Sequence, residues 1–360
     1  MQSKNKTKLT LRLKSFGRTF LSVVIGLGIG LLVTKIAGEN PWHILVVLFK
    51  SAFGSKYDLG MTLFYATPLI FTGLAVSMAF HAGLFNIGAE GQLTLGALAV
   101  TAAGIWAGGL GTPWAPLFAI GVAAVFGGIW GAIPGWIRAR RGGHEVVSTI
   151  MLNFIAAGIA SWMTLYILKD PTSQNPETKV VAASYLIPSI PFFEDASTNS
   201  AFFLAILMAV LVWFFLWKTA FGYEIRAVGQ NENAARAAGI DATRTRIYAM
   251  AISGALAGLV GINEILGSAG KFRLGFSPGY GFTGIAVALV GRKEPLGVVL
   301  SALLFGALHK GTSDLDLETE HITRDFSQIL QAFIILSVST EAFWSHFKRK
   351  RRAKADAPIL

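Results

Sequence analysis

Met61-Thr-Leu-Phe-Tyr-Ala-Thr-Pro-Leu-Ile-Phe-Thr-Gly-Leu-Ala-Val-Ser-Met-Ala-Phe80 runs for twenty residues without one charged side chain. The hydrocarbon core of a bilayer is roughly 30 Å thick and needs about 20 apolar residues per helix, so this stretch is long enough to cross it. Working outward, comparable runs with few charges occupy residues 20–37, 89–107, 114–137, 146–168, 201–217, 247–266 and 326–347. Residues 280–291 and 296–308 are shorter and are parted by Arg292, Lys293, Glu294 and Pro295. They read as tilted helices or as one broken pair. Residues 41–54 carry His43 and Lys50 in a short apolar run, which suits an interfacial helix. The expectation is an all-α polytopic membrane protein of about ten transmembrane helices.

Composition agrees. Hydrophobic residues make up 53% of the 360 positions and charged residues only 14%, against about 25% charged in soluble domains. The solvent must be largely lipid. A net charge of +11 would suit nucleic acid, but the placement of the basic residues decides otherwise. They gather in the N-terminus (Lys4, Lys6, Lys8, Arg12, Lys14, Arg18), at Arg138, Arg140 and Arg141, in the 218–246 loop, at Arg292 and Lys293, and in the tail from Lys348 to Lys354. With ten alternating spans these segments share one side, whereas Glu194, Asp195, Asp314, Asp316, Glu318 and Glu320 lie on the other. The positive-inside rule then puts both termini in the cytoplasm. The charge reports topology, and the bilayer, not nucleic acid, is the partner it implies. Lys35 and Glu39 follow the first apolar run without a small-residue cleavage site, so that run reads as an uncleaved helix rather than a signal peptide.

Pro116-Leu117-x-x-Ile120-x-x-Ala123-x-x-Phe126-Gly127 matches Pro295-Leu296-x-x-Val299-x-x-Ala302-x-x-Phe305-Gly306, and Thr72-Gly73 has a counterpart in Ser253-Gly254. The similar offsets suggest duplication. On the expected topology the copies run in opposite directions, an arrangement in which transporters place the substrate path near the repeat interface.

Polar groups at membrane depth are costly, so each is a candidate for function. Gly83-Leu84-Phe85-Asn86-Ile87-Gly88-Ala89-Glu90-Gly91-Gln92 brings three polar side chains and three glycines to the start of a span. It reads as a broken or re-entrant helix beside a path, or as a helix cap in which Asn86 or Glu90 bonds orphan amides. Asn153 lies within the fifth span, where asparagine commonly bonds a neighbouring helix. Asn263 and Glu264 lie deep in the seventh. Glu264 would accept a hydroxyl from a polar solute, pair with Lys271 or Arg273, or reach the headgroups. The candidate path residues are Asn86, Glu90, Gln92, Asn153, Asn263 and Glu264. Phe272, Phe276, Tyr280 and Phe282 offer faces that stack on planar or sugar-like solutes, but an interfacial aromatic belt has the same composition and is the simpler reading.

The cytoplasmic loop contains Gly229-Gln-Asn231-Glu-Asn-Ala234-Ala235-Arg236-Ala-Ala238-Gly239-Ile240. Asn231 can cap a helix starting near Glu232, the alanines favour helix, and Gly239 is placed to end it. A slim alanine-rich helix with Arg236 suits insertion into a groove of a partner protein.

These residues resemble the coupling-helix region of ABC importer permeases in the branched-chain amino acid and ribose permease superfamily. Residues 83–92, Glu145-Val-Val-Ser-Thr-Ile-Met-Leu-Asn153 and Gly279-Tyr-Gly-Phe-Thr-Gly-Ile-Ala-Val-Ala-Leu-Val-Gly-Arg292 are similar to motifs of its simple-sugar and nucleoside branch. The resemblance covers nearly the whole chain, except the first helix and residues 171–195. It implies a type II ABC importer fold and a single transmembrane permease domain over residues 1–360, with a basic cytoplasmic N-terminus (1–18), a coupling loop (218–246) and a basic tail (348–360). It also implies a second permease, identical or paralogous, a substrate-binding protein, and an ABC ATPase subunit that carries ATP and Mg. The site would be the bacterial inner membrane. The coupling residues would be Gly229, Asn231, Ala234, Ala235, Arg236, Ala238, Gly239 and Ile240.

The sequence lacks a Gly-x-x-x-x-Gly-Lys-Ser/Thr phosphate loop, a Gly-x-Ser-x-Gly elbow and a His-Glu-x-x-His pair. It has no cysteine, and its six histidines lack metal-ligand spacing. No catalytic residue, metal site or bound cofactor is expected, and energy has to come from a partner. The expected function is import of a nucleoside or simple sugar. The alternatives are a branched-chain amino acid permease of the same superfamily, an ion- or proton-coupled secondary transporter with Glu90 and Glu264 as coupling carboxylates, or a membrane scaffold that uses the loop to recruit a partner.

Overall fold

The computed structural model describes the backbone of residues 2–355, with side chains described for residue 17 and residues 20–340. The basic side chains expected to mark the cytoplasmic N-terminus and the tail lie outside those described. The chain forms two compact units, one of residues 1–54 and 308–360 and one of residues 55–307.

The first unit contains α1 (Gln2–Ile36) and α2 (Pro41–Phe53). The larger unit contains α3 (Lys56–His81), α4 (Ala89–Trp106), α5 (Trp114–Arg141), α6 (Glu145–Trp162) and α7 (Ala201–Lys218). It continues through α8 (Ala220–Gln230), α9 (Glu232–Ala237), α10 (Ala242–Gly258), α11 (Tyr280–Val290) and most of α12 (Pro295–Gly311). The remainder of α12, α13 (Leu315–Glu318) and α14 (Phe326–Ala355) return to the first unit. Two helices loosen at their ends into π turns, α6 through Met163–Ile167 and α10 through Ile262–Ala269.

In the larger unit, α3 and α10 form the centre. Within their most apolar windows 83% of α3 and 78% of α10 with its π extension is buried, against 28%, 17% and 28% for α5, α6 and α7. The outer helices turn Phe154, Trp162, Phe203, Leu207 and Phe214 to the exterior. A continuous apolar surface of that kind suits contact with lipid rather than water.

Without a hydrophobic force between helices in lipid, close backbone packing has to hold the centre together, and small residues permit it. Gly127 and Gly131 of α5 lie against Gly254 and Gly258 of α10. A β-carbon at Gly127 would fall 2.9 Å from Gly258 Cα, and one at Gly131 would fall 2.9 Å from Gly254 Cα. On α10's other flank, a β-carbon at Gly96 of α4 would lie 2.5 Å from Gly258 Cα, and one at Gly261 would lie 2.6 Å from Ala97 Cα. α11 meets α3 in the same manner, with Gly284 set on Thr72.

The apolar stretches read from the sequence are helices with altered limits. Among the described residues six helices are long and apolar enough to cross a membrane, and Phe20–Ile36, Pro41–Phe53, Tyr280–Val290 and Phe326–Thr340 are shorter apolar helices. Glu90 and Gln92 in the first turn of α4 dilute its apolarity. The short stretches around position 292 are two separate helices, because Arg292 and Lys293 both take left-handed backbone (φ 55° and 64°) that stops α11 before Pro295 opens α12. Ser77 Oγ donates to the Lys293 carbonyl at 2.6 Å and holds this turn against α3.

In the smaller unit α1 packs on α14, where a β-carbon at Gly26 would fall 2.6 Å from Ile334 Cα. α2 buries Ile44, Val47 and Leu48 and exposes Trp42 and Phe49. Glu39 accepts the Glu320 and His321 backbone amides at 3.0 and 3.3 Å.

Gly254→Val places branched carbons against the α5 backbone and should destabilise the protein by about 3 kcal/mol, at the upper end for overpacking. Gly121→Ala, where nothing lies within 4 Å, should be neutral or mildly stabilising. Thermal melting of the detergent-solubilised variants compares the two.

Candidate functional site

Backbone leaves helical form between Ala82 and Gly88, so α4 begins at Ala89 rather than continuing α3. The polar side chains of this segment are committed to neighbouring helices. Asn86, fully buried, donates through Nδ2 to Gln92 Oε1 (2.9 Å) and Ser253 Oγ (2.8 Å), and its Oδ1 accepts from Gly88 N (2.9 Å) and Gln92 Nε2 (3.2 Å). Ser253 in turn donates to the Ala75 carbonyl at 2.6 Å. This cluster ties the break to α10 and α3. Asn153 of α6 accepts from Gly91 N (2.8 Å) and donates to the Ile87 carbonyl (3.0 Å), so it satisfies one of the orphan amides of α4's first turn.

Glu90 does something else. Its Oε2 accepts from Gly281 N of α11 at 2.7 Å, and the Ser277 hydroxyl donates to the same carboxyl. Ser277 Oγ also accepts from Gly279 N and Tyr280 N at 3.2 and 3.1 Å. The carboxylate therefore sits at the N-terminus of α11, where unpaired amides and the helix dipole favour negative charge. Glycine at 281 makes the approach feasible, since a β-carbon there would lie 2.7 Å from Glu90 Cα.

Tyr280, the first residue of α11, is buried and donates its phenol to Glu264. Glu264 lies in the π extension of α10, where Asn263 Nδ2 donates to Glu264 Oε1 at 3.1 Å. π turns frequently occur at functional positions. Glu90, Tyr280 and Glu264 thus come together from α4, α11 and the end of α10, three elements far apart in sequence. Among the described residues no lysine or arginine pairs with Glu264.

The alternative partners considered for Glu264, Lys271 and Arg273, are engaged elsewhere. Lys271 Nζ and Arg273 Nε meet Glu177 at 2.8 and 3.1 Å, and Ser173 Oγ donates to Glu177 at 2.6 Å. The backbone follows the same path, with Thr178 N donating to the Phe272 carbonyl and Val181 N to that of Gly270, at 3.0 and 2.8 Å. The loop after α6 is laced to the segment that joins Glu264 to Tyr280. The aromatic-belt expectation fails for Phe272 and Tyr280, which are buried, while Phe282 is exposed. Sequence reasoning missed Glu177 because it lies in a stretch without a motif.

The 218–246 loop folds as three capped helices in succession. Thr219, Asn231 and Asp241 accept from Gly222 N, Ala234 N and Arg244 N at 3.0, 3.1 and 3.0 Å. The helix expected from Glu232 is α9, and Gly239 follows it with φ +83°. Ala235 packs with Val228, Ala242, Ala227 and Ile240 in a small apolar cluster. Ala234, Ala238 and Gly239 are exposed. Glu232 pairs with Arg236 (2.9 Å) and Arg246 (2.7 Å), and the Arg236 hydrogen bond, with both charges, holds its carboxyl below the usual range. Gly229, at the end of α8, abuts Gly83: a β-carbon at 229 would lie 2.8 Å from Gly83 N and press on the His81 carbonyl.

Comparison with known proteins gives this arrangement a context. The model of the branched-chain amino acid transport system permease component family matches residues 59–339. The chain belongs to that family. The permease is 38% identical over 325 residues to the guanosine ABC transporter permease protein NupP of Bacillus subtilis, covering 89% of this chain and 92% of the relative. It is 35% identical to the nucleoside ABC transporter permease protein NupB of Lactococcus lactis (89% of this chain, 90% of the relative). It is 33% identical to the glucose ABC transporter permease protein TsgB13 of Haloferax volcanii (93% of this chain, 90% of the relative). The permease is therefore a multi-pass membrane transport component of the ABC type, not a catalytic enzyme.

In the permease the Glu177 carboxyl is held down to about 2 from 4.5, first by the Lys271 hydrogen bond, then by Ser173 and Arg273. A carboxyl with a lowered folded-state value contributes its full stability above 4.5 and loses it as the pH falls towards 2. Glu177→Gln should lower the melting temperature near neutral pH and flatten its fall between pH 4.5 and 2, as read by thermal melting across that range.

Proposed function

We propose that the permease forms the translocation path of an ATP-driven importer for an uncharged polar solute, a nucleoside or a simple sugar. The reading rests chiefly on the Glu90–Tyr280–Glu264 cluster. Two carboxyl groups at the centre of a helical membrane protein are costly unless they serve a path, and carboxylates with spare acceptor capacity suit the hydroxyls of such a solute. The guanosine, nucleoside and glucose designations of the relatives support that substrate class. Asn86, Gln92, Asn153 and Asn263 then shape the path by fixing the backbone around the carboxyls. Substrate choice rests largely with a separate binding protein, which delivers the solute to the outer end.

The inverted repeat is part of this proposal. α5 packs on α10 through Gly127, and α12 packs on α3 through Gly306, the residue 179 positions later, whose β-carbon would fall 2.8 Å from the Thr62 carbonyl and Ala66 N. Matching contacts between matching helices support two copies of one plan, with ten spans and both termini in the cytoplasm of a bacterial inner membrane. A second permease, identical or paralogous, completes the path.

The α9 helix is the proposed contact with the ATPase subunit, which binds ATP and Mg. Its exposed alanines fit a groove, Asn231 and Gly239 set its ends, and Gly229 and Ile240 fix its base. Movement of α9 on ATP-driven closure of the partner would rock the spans between outward and inward access. Arg236 is largely exposed, and its pair with Glu232 contributes little to folding. Arg236→Ala should therefore leave the amount of inserted protein unchanged while lowering uptake several-fold. Proline cannot adopt φ +83°, so Gly239→Pro should do the same by distorting the end of α9. Normal uptake in both variants would refute the lever.

Uptake of a radiolabelled nucleoside and sugar panel, in cells with and without the gene, tests the function itself. Loss of one solute's ATP-dependent uptake is expected when the gene is removed. Uptake that persists after ATP depletion but collapses with the ion gradient would overturn the importer reading in favour of a secondary transporter.

A further inference from the structure

We infer that Asn199, in the outer loop just before α7, is a positioning residue that sets the hydrogen-bonding face offered to Glu264. The inference rests on the reading of Glu264 as a path residue. Asn199 is buried, and its Oδ1 accepts from Ala201 N at 3.0 Å. Ala201 N belongs to the first turn of α7, which has no helical partner for it. A backbone amide can only donate, so it fixes which end of the Asn199 amide is oxygen. The nitrogen is thereby turned the other way, towards Ser197 O (3.0 Å) and Asn263 Oδ1 (3.2 Å) and the Asn263 carbonyl (3.4 Å).

The same logic then passes to Asn263. With Oδ1 facing the Asn199 donor, its Nδ2 faces Glu264 Oε1 at 3.1 Å, and also the Phe64 carbonyl at 3.5 Å. A chain of fixed polarity runs from the start of α7 through two amides to the carboxyl that also receives the Tyr280 phenol. Gly267, one π turn beyond Asn263, leaves the room for it. A β-carbon at 267 would fall 2.6 Å from Asn199 Oδ1 and closer still to its Nδ2 and Cγ.

Asn199→Asp keeps the acceptor for Ala201 N but removes the donor. Asn263 must then turn its Nδ2 to the new carboxylate and present Oδ1 to Glu264, so two acceptors face each other. Glu264→Gln supplies an N–H that meets the reversed amide. The test is uptake kinetics of the transported solute by the complete importer, normalised to the amount of inserted permease, in Asn199→Asp, Glu264→Gln and the double variant. Each single change should lower uptake by about tenfold, the size expected for loss of a buried hydrogen bond to a charged group. The double variant should be no worse than Glu264→Gln alone. Gly267→Ala displaces the Asn199 amide without changing its chemistry and should likewise add nothing to Glu264→Gln, which serves if Asn199→Asp fails to insert. Multiplicative losses in the double variants would overturn the positioning role while leaving Glu264 in the path. Unaltered uptake in Glu264→Gln would overturn the path reading and this inference together.

Discussion

The backbone-to-backbone contact of α10 with α5 and α4 is the constraint on which the larger unit depends. In lipid, burying one apolar side chain against another gains little over burying it in acyl chains, so helices associate through close contact and polar pairing. Gly254, Gly258 and Gly261 let α10 accept α5 on one side and α4 on the other without intervening side chains. That proximity puts Ser253 within reach of Asn86, and through Asn86 fixes where α4 begins. It also carries the π extension of α10, and so Glu264, to the first residue of α11. The polar cluster is a product of glycine spacing as much as of the polar residues themselves.

Much of this was legible because the underlying signals are local. Charge-free runs such as 61–80 identify spans from hydropathy alone, and Asn231 with Gly239 delimit α9 because capping needs only residues within a turn of the helix end. The break before Ala89 was likewise announced by its glycines. What could not be read was the partner of each polar group. The same asparagine serves as a cap, a clasp between helices or a ligand, and only tertiary placement separates these. Asn86 and Asn153 prove to clasp, whereas Glu90 reaches the amides of α11. Pairing with Lys271 or Arg273, which are near in sequence, was one of three readings open for Glu264. Glu177, over ninety residues from either, takes both cations because the loop after α6 folds back along residues 270–274.

The site and the 218–246 loop are joined by short, glycine-permitted contacts. Gly229 at the end of α8 touches Gly83, and Gly83 starts the irregular stretch that leads to Glu90. Gly83 itself takes φ +72°, so both glycines are needed, one for close approach and one for conformation. α8, next to α9 in the chain, therefore bears on the same segment that positions one of the two carboxyls, without a long chain of side chains between them.

The Glu90–Gly281 bond also has a consequence for biosynthesis. Its partners are 191 residues apart. The ribosome thus delivers α4, with its carboxyl, long before the helix whose amides receive it. α11, only 11 residues long, is short of what is needed to cross a bilayer unaided. The apolar outer helices α5, α6 and α7 enter the membrane between the two. Assembly of the centre is therefore deferred: α3 and α4 wait while the peripheral spans are laid down, and the polar interior closes only when the chain has been made past residue 281.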